Sequence, residues 1–384
     1  MWSSTKRPWP LAALIFTLFC LAMIWMGSYR PSFPHPPSVE PSSTEEWSSN
    51  TVEWSNMVQP SSVESTSAKP TSAVPSNVEL NNVELSDNKT SNSTLGFEKI
   101  FFISLPQRLD RHDAISLISS ITGVTPTLEP GFNGSLLQEK VKPEGSGGLR
   151  PEQLGCWRAH ANVWKRMLDE NIESAMVIED DVDWDINVRD IFAEMSHQFA
   201  EQTLFPNLVP SPDAPYGRDW DLLYVGSAWD IPNNDNRPPH LLYHDPNAPT
   251  RENTGGSYIG ELEGWGAKVT ENTRHRLIAP SWYPVSTIGY AVTKKGAQKL
   301  LYNLGGYKGL NAPVDLAMIG LLQKGIVDSY TIIPPIITRY RTGGSRDSDI
   351  DEVKPEDAEA KTGSENLNMG ARKAMEKLQE KSPH

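Results

Sequence analysis

Ala175-Met-Val-Ile-Glu-Asp-Asp-Val-Asp-Trp-Asp185 is the stretch that decides how the rest of this sequence is read. Ala175 to Ile178 form a short apolar run suited to a buried strand. Three carboxylates, Glu179, Asp180 and Asp181, follow without a break. In an open α/β sheet, ligands bind just beyond the carboxyl ends of the parallel strands. Acids placed there can hold a hard divalent cation, which takes oxygen ligands and bridges to phosphates. A cation held at a strand end suits a nucleotide-sugar site. A calcium-loop reading of the same acids fails. Counting from Asp183, the sixth position, where an EF-hand needs glycine, is Val188, and counting from Asp181 it is Ile186.

The flanking segments alternate between strand and helix patterns, as an α/β fold requires. Upstream, Lys99–Leu105 reads as a buried strand, and Arg108 and Arg111 follow it. These arginines either meet phosphate or ribose at the strand end or are solvated at the start of the next helix, read over Ala114–Ile121. Pro151–Glu173 is a strong helix, with Pro151 at its first turn and apolar residues at spacings of three and four. His160 lies on its second apolar face, as a ligand contact or a hydrogen-bonded core residue, and Cys156 reads as a buried inert thiol. Downstream, Asp190–Ala200 reads as a helix and Trp220–Val225 as a strand. That strand ends in Gly226-Ser227, where a ligand can approach closely. Ile231–Gly266 is long and loop-like, and its His240, His244 and Asp245 read as solvated rather than as a metal set. Pro284–Thr293 reads as a strand, Lys294–Leu304 as a helix and Leu316–Gln323 as a further helix that Asp315 opens. Asp315 fits a helix N-cap, and a carboxylate at a helix mouth facing the site also suits a general base. Ser329–Ile337 contains Pro334-Pro335, which predicts an edge strand.

The ends of the chain are different in kind. Lys6 and Arg7 precede Leu11–Met26, a run without charge. Sixteen helical residues reach roughly 24 Å, close to the ~27 Å of an endoplasmic reticulum bilayer. Trp9, Trp25 and Tyr29 sit where interface aromatics belong, and no small-residue cleavage site follows the run. The expected organisation is a cytosolic tail over residues 1–10, a signal anchor over 11–28 in type II orientation, a Ser/Thr/Pro-rich stalk over 29–95, a folded domain over 96–350 and a polar tail over 351–384. Asn88, Asn92 and Asn133 head N-glycosylation sequons. Anchor, stalk and sequons together point to the secretory pathway, in a Golgi or endoplasmic reticulum membrane. A net charge of −13 argues against nucleic acid or an anionic membrane surface as partner. Two cysteines, one inside the apolar N-terminal run, leave no disulfide framework for the folded part.

Six blocks in one order resemble glycosyltransferase family 25. Ile103-Ser-Leu-Pro-Gln-Arg-Leu-Asp-Arg111 is similar to the opening strand and arginine signature, with Ser104 in place of the usual Asn. Leu154-Gly-Cys-Trp-Arg-Ala-His160 is similar to the Gly-Cys-x-x-Ser-His helix, and Val177-Ile-Glu-Asp-Asp-Val182 to the Glu-Asp-Asp strand end. Trp220–Gly226, Gly289–Leu301 and Pro313-Val-Asp315 complete the set. The resemblance implies a GT-A type fold, a Rossmann-like mixed sheet flanked by helices. It implies a UDP-hexose donor, galactose most commonly, a divalent cation such as Mn2+, and inversion at the anomeric carbon. The expected site follows: Glu179, Asp180 and Asp181 as metal ligands, and Arg108, Arg111, His160, Gly226 and Ser227 toward the donor. Asp315 is the expected base, with Asp183 in reserve, acting on a glycan or glycoprotein acceptor.

Overall fold

The structure is a computed structural model that describes residues 90–230, 237–305, 308–342, 349–350 and 362–380. The expected anchor over 11–28, Asn88 and nearly all of the expected stalk lie outside the described residues. Among the described residues no helix is long and apolar enough to cross a membrane.

The strands, in chain order, are β1 (Lys99–Ser104), β2 (Thr127–Pro130), β3 (Ser174–Glu179), β4 (Val182–Trp184), β5 (Leu222–Gly226), β6 (Trp229–Asp230), β7 (Leu241–His244), β8 (His275–Pro280), β9 (Pro284–Val285), β10 (Gly289–Thr293), β11 (Ser329–Ile333), β12 (Ile337–Arg341) and β13 (Gly363–Ser364). The helices are α1 (Leu109–Thr122), α2 (Pro151–Asp169), α3 (Val188–Glu201), α4 (Gly256–Gly264), α5 (Lys294–Leu304), α6 (Val314–Gln323) and α7 (Ala371–Glu380).

Eight strands form one mixed sheet in the order β2-β1-β3-β10-β5-β11-β8-β7. β1 runs parallel to β2 and β3, and β11 parallel to β5, while β10 is antiparallel to both β3 and β5. The carboxyl ends of β1, β3 and β5 therefore meet along one edge, beside the first residue of β10. The sheet is buried on both faces. Met176 and Ile178 of β3 pack into one cluster with Ile115 and Ile118 of α1 and Ile191 and Phe192 of α3. Ala175 and Val177 pack into another with Trp157 and Trp164 of α2, Leu300 of α5 and Met318 of α6. A strand covered on both sides reads in sequence as a continuous apolar run rather than an alternation.

Four expectations need correction. The segment 231–266 is not simply a loop, since β7 and α4 lie in it, and Asp245 is fully buried against Arg276 rather than solvated. β11 is not an edge strand, because it sits between β5 and β8. Pro334-Pro335 ends it instead, and the chain re-enters as β12 in a second sheet, β13-β12-β4. Asp315 is not the N-cap of α6. Pro313 holds that position and Asp315 lies in the first turn.

The last correction concerns the polar tail over 351–384. Within it, β13 pairs with β12, and Asp185 and Gly370 form a bridge. Ala371 of α7 is fully buried in the cluster with α1. Arg372 donates to the Val182 carbonyl at 3.0 and 3.2 Å and stacks over Tyr340 at 4.3 Å. Asp183 accepts from the Ser364 hydroxyl at 2.6 Å and from the Arg372 amide at 3.2 Å. This segment docks mainly through hydrogen bonds to β4, which hydrophobic patterning does not register.

Candidate active site

Local sequence sets the strand end. The apolar run ends at Ile178, and Glu179 leaves the sheet interior with its amide donating to the Ile288 carbonyl at 3.1 Å. β4 then pairs antiparallel with β12, placing Arg339 opposite Val182. The three acids are thus held between β1, the turn before β10, and β12. They line a cleft of about 540 Å³, within the usual range for small-molecule sites.

The three acids do different things. Asp180 is sealed: its carboxylate takes the Arg111 guanidinium and the Ser104 hydroxyl, and all three side chains are buried. His112 Nε2 lies 2.9 Å from that same hydroxyl. Both oxygens of Asp180 are engaged, by Arg111 and by Ser104. Glu179 accepts from Thr287 at 2.8 Å and lies 3.5 Å from Arg339. Burial first, with the neighbouring Asp181 charge adding and Arg339 opposing, lifts its carboxyl to about 7. Asp181 meets Arg339 at 3.5 Å through one oxygen, while its other oxygen, Oδ1, is buried with no hydrogen-bond partner.

Among the described residues no group of three His, Cys, Asp or Glu side chains has metal-binding geometry. Two carboxylates still fit a hard cation. Mg2+-like ions are usually held by one or two carboxylates, with substrate phosphates and water completing the shell. The partnerless Oδ1 of Asp181, next to Glu179, is the feature that meets this test.

Arginines ring the same cleft. Arg111 sits on α1, which starts five residues before the expected helix, and it lines the cleft from its first turn. Arg108, expected toward the donor, is not among the residues lining the cleft; it is bonded to Asp110 and, at 2.6 Å, to Asp349. Arg150, the residue capping α2, donates to the Ile350 carbonyl at 2.9 Å. Guanidinium groups suit diphosphate, because their planar fork matches its oxygens. Asp315 of α6 lines the same cleft and accepts from the Ser286 amide at 3.2 Å. Ser286 has φ of 71°, a left-handed conformation uncommon outside glycine and often found where strain serves a site.

The remaining expected residues separate. His160 is buried in the cleft floor, 2.9 Å from the Tyr290 hydroxyl, and burial pushes its imidazole down to about 4, so it is neutral. Cys156 also lines the cleft, and burial pushes its thiol well above the ordinary value. Gly226, expected toward the donor, is not among the residues lining the cleft, and a Cβ there would meet the Ile337 carbonyl of β12 at 2.6 Å. Ser227 lines a second cleft instead, and its carbonyl accepts from Tyr258. Asp183 is corrected as reserve base, since β4 turns it away from the cleft and toward Ser364 and Arg372. Asn92 is exposed, and its side chain caps its own turn by accepting from the Thr94 and Gly96 amides. Asn133 is exposed at the cleft and accepts from the Ser135 amide at 3.0 Å. Sequence reasoning missed Arg339, Thr287 and Asp349. Only the Thr338-Arg-Tyr-Arg341 alternation after an apolar run hinted at a polar strand there.

A large mixed sheet between helices, with acids and arginines at one strand end, is consistent with a Rossmann-like glycosyltransferase. Residues 97–208 match the sequence profile described as Glycosyltransferase family 25 (LPS biosynthesis protein). The chain is 28% identical over 220 residues to Procollagen galactosyltransferase 2 of Mus musculus and, equally, to that of Homo sapiens. Each match covers 54% of this chain and 28% of the relative. It is 22% identical over 147 residues to the Homo sapiens protein named Inactive glycosyltransferase 25 family member 3, covering 35% of this chain and 22% of that one. The chain thus spans under a third of the length of the curated relatives it matches.

Proposed function

We propose that this chain is a metal-dependent, inverting glycosyltransferase that moves a hexose, galactose first, from a UDP-sugar to a glycan or glycoprotein acceptor. The observation that carries the reading is the cleft itself. It gathers Glu179 and Asp181 beside Arg339, together with Arg111 and Asp315. The relatives' name, procollagen galactosyltransferase, favours galactose.

In this reading Arg111 and Arg339 orient the diphosphate, and Glu179 with Asp181 would hold a divalent cation such as Mn2+. When bound, that cation offsets the charge that builds on the β-phosphate as the sugar–oxygen bond breaks. Asp315 takes the proton of the acceptor hydroxyl as its oxygen bonds the anomeric carbon from the face opposite UDP. UDP leaves with the bonding electrons. The Ser286 amide fixes one oxygen of Asp315, leaving the other for the proton. His160 stays neutral and shapes the floor. Residues 11–28 anchor the chain in a Golgi or endoplasmic reticulum membrane, with the folded part luminal.

A second reading is favoured by the relative named inactive: a non-catalytic module that binds a cation or carbohydrate. Donor hydrolysis separates the two. The full chain with a panel of UDP-sugars should release UDP slowly, faster with Mn2+, and Asp181→Asn should abolish release. No release with any donor would leave only the non-catalytic reading.

A further inference from the structure

A second cleft, of about 1070 Å³, shares Arg339 with the first. The β6–β9 ribbon, where Trp229 pairs with Val285, contributes to both. Val285, Ser286 and Thr287 line the first cleft, and Trp229 and Ile288 line the second. A molecule in the second cleft therefore meets Arg339, the residue that also pairs with Glu179 and Asp181 in the first.

We propose that the second cleft holds the acceptor, and that the acceptor is a neutral oligosaccharide. This rests on the glycosyltransferase reading above for its link to transfer, but the recognition chemistry stands on its own. The lining is rich in amides and hydroxyls, among them Asn253, Ser257, Thr338 and Asn368, which donate and accept hydrogen bonds as sugar hydroxyls require. Trp229, 42% exposed although apolar, offers a flat face for the carbon side of a pyranose ring. Charges of both signs are present, Glu252, Glu365 and Glu376 against Arg339, Arg341 and Lys373, so the cleft favours neither an anion nor a cation. Its volume reaches the upper end of ordinary small-molecule sites, about 300–1,000 Å³, which suits several linked sugars better than one. Every residue lining it lies beyond position 226, outside the segment that matches the family profile, and the 362–376 stretch contributes to it.

The test uses the full chain and two arrays. One carries neutral oligosaccharides (lactose, N-acetyllactosamine and oligomannose series), the other unglycosylated peptides. Labelled protein without nucleotide should bind the oligosaccharides. Trp229→Ala removes the platform, and Gly256→Trp fills the cleft from a position where a Cβ meets nothing within 4 Å. Each should weaken that binding at least tenfold without lowering the melting temperature by more than a few degrees. With the donor that the hydrolysis assay identifies, the ratio of transfer to hydrolysis should fall at least tenfold in both variants, through acceptor KM. Binding to peptides alone, absence of oligosaccharide binding, or variants that bind as the wild type does would overturn the proposal. Absence of hydrolysis with any UDP-sugar would instead sink the transferase reading, with glycan binding still deciding this one.

Discussion

Adjacent carboxylates in this site have unlike fates because their neighbours differ. Asp180 faces Arg111 and Ser104 and is consumed as a buried ion pair. Such pairs are weak stabilisers in themselves but costly to break, at about 3–5 kcal/mol when one partner is lost. Asp181, one residue on, keeps an oxygen without a partner. The proposed cation ligands are therefore Glu179 and Asp181, while Asp180 ties the end of β3 to β1 and α1 through Ser104 and Arg111. Asp315 is the other residue whose role its contacts define. Asp315→Asn keeps an acceptor for the Ser286 amide but cannot take a proton. General-base loss costs about 10²–10⁴ in rate. The variant should lose about that much kcat in transfer, with donor KM within threefold, and a comparable fall in donor affinity would refute the assignment.

Elements outside the eight-stranded sheet hold the site in register. β12 carries Arg339, Asp181 sits in the turn between β3 and β4, and α7 with Ser364 of β13 holds Asp183 of β4. Asp183→Ala leaves the Ser364 hydroxyl and Arg372 amide without their acceptor, an unmet-bond cost of about 1–3 kcal/mol. It should lower the melting temperature and speed proteolysis near residue 362, with UDP release below the melting range within threefold of wild type. A hundredfold loss there would restore Asp183 as the base. α4 makes a separate point about pH. Glu261, on this helix, has one buried oxygen without a partner, and burial, with Asp230 adding, lifts its carboxyl to about 8. Burial lifts Asp230 itself to about 6. Both folded values lie above the unfolded ones, so the stabilisation is complete below the ordinary carboxyl range near 4 and is lost as pH rises through about 6 to 8. Thermal melts should show the wild type losing stability as pH rises from about 4 to about 8, and levelling off above that. Glu261→Gln, which stays neutral, should lose less by a few degrees, and parallel melts for the two would exclude Glu261 as the source.

For the whole molecule, the proposed topology makes a simple prediction. In cells the chain should remain in the membrane pellet after alkaline extraction, and deleting residues 1–30 should release it. Recovery of the intact chain in the supernatant would remove the anchor from the reading. Much of the folded part was legible without coordinates. β3 and its acids, α2 with Pro151 at its start, α5, and the place of Asp315 near a helix mouth are all local statements. They follow from apolar periodicity, from strand-end acids and from the restrictions proline places on the backbone. What stayed illegible was decided by distant partners. Sequence could not tell Asp180 from Asp181, because Arg111 and Arg339 reach them from opposite directions along the chain. It could not place the Ile337 carbonyl where a side chain on Gly226 would go. It read Asp245 and the 362–380 segment as solvated, since polar residues look alike whether they meet water or a buried partner. Periodicity reports where apolar surface goes, and that is fixed locally. Which polar group meets which is fixed only when the sheet brings far parts of the chain together.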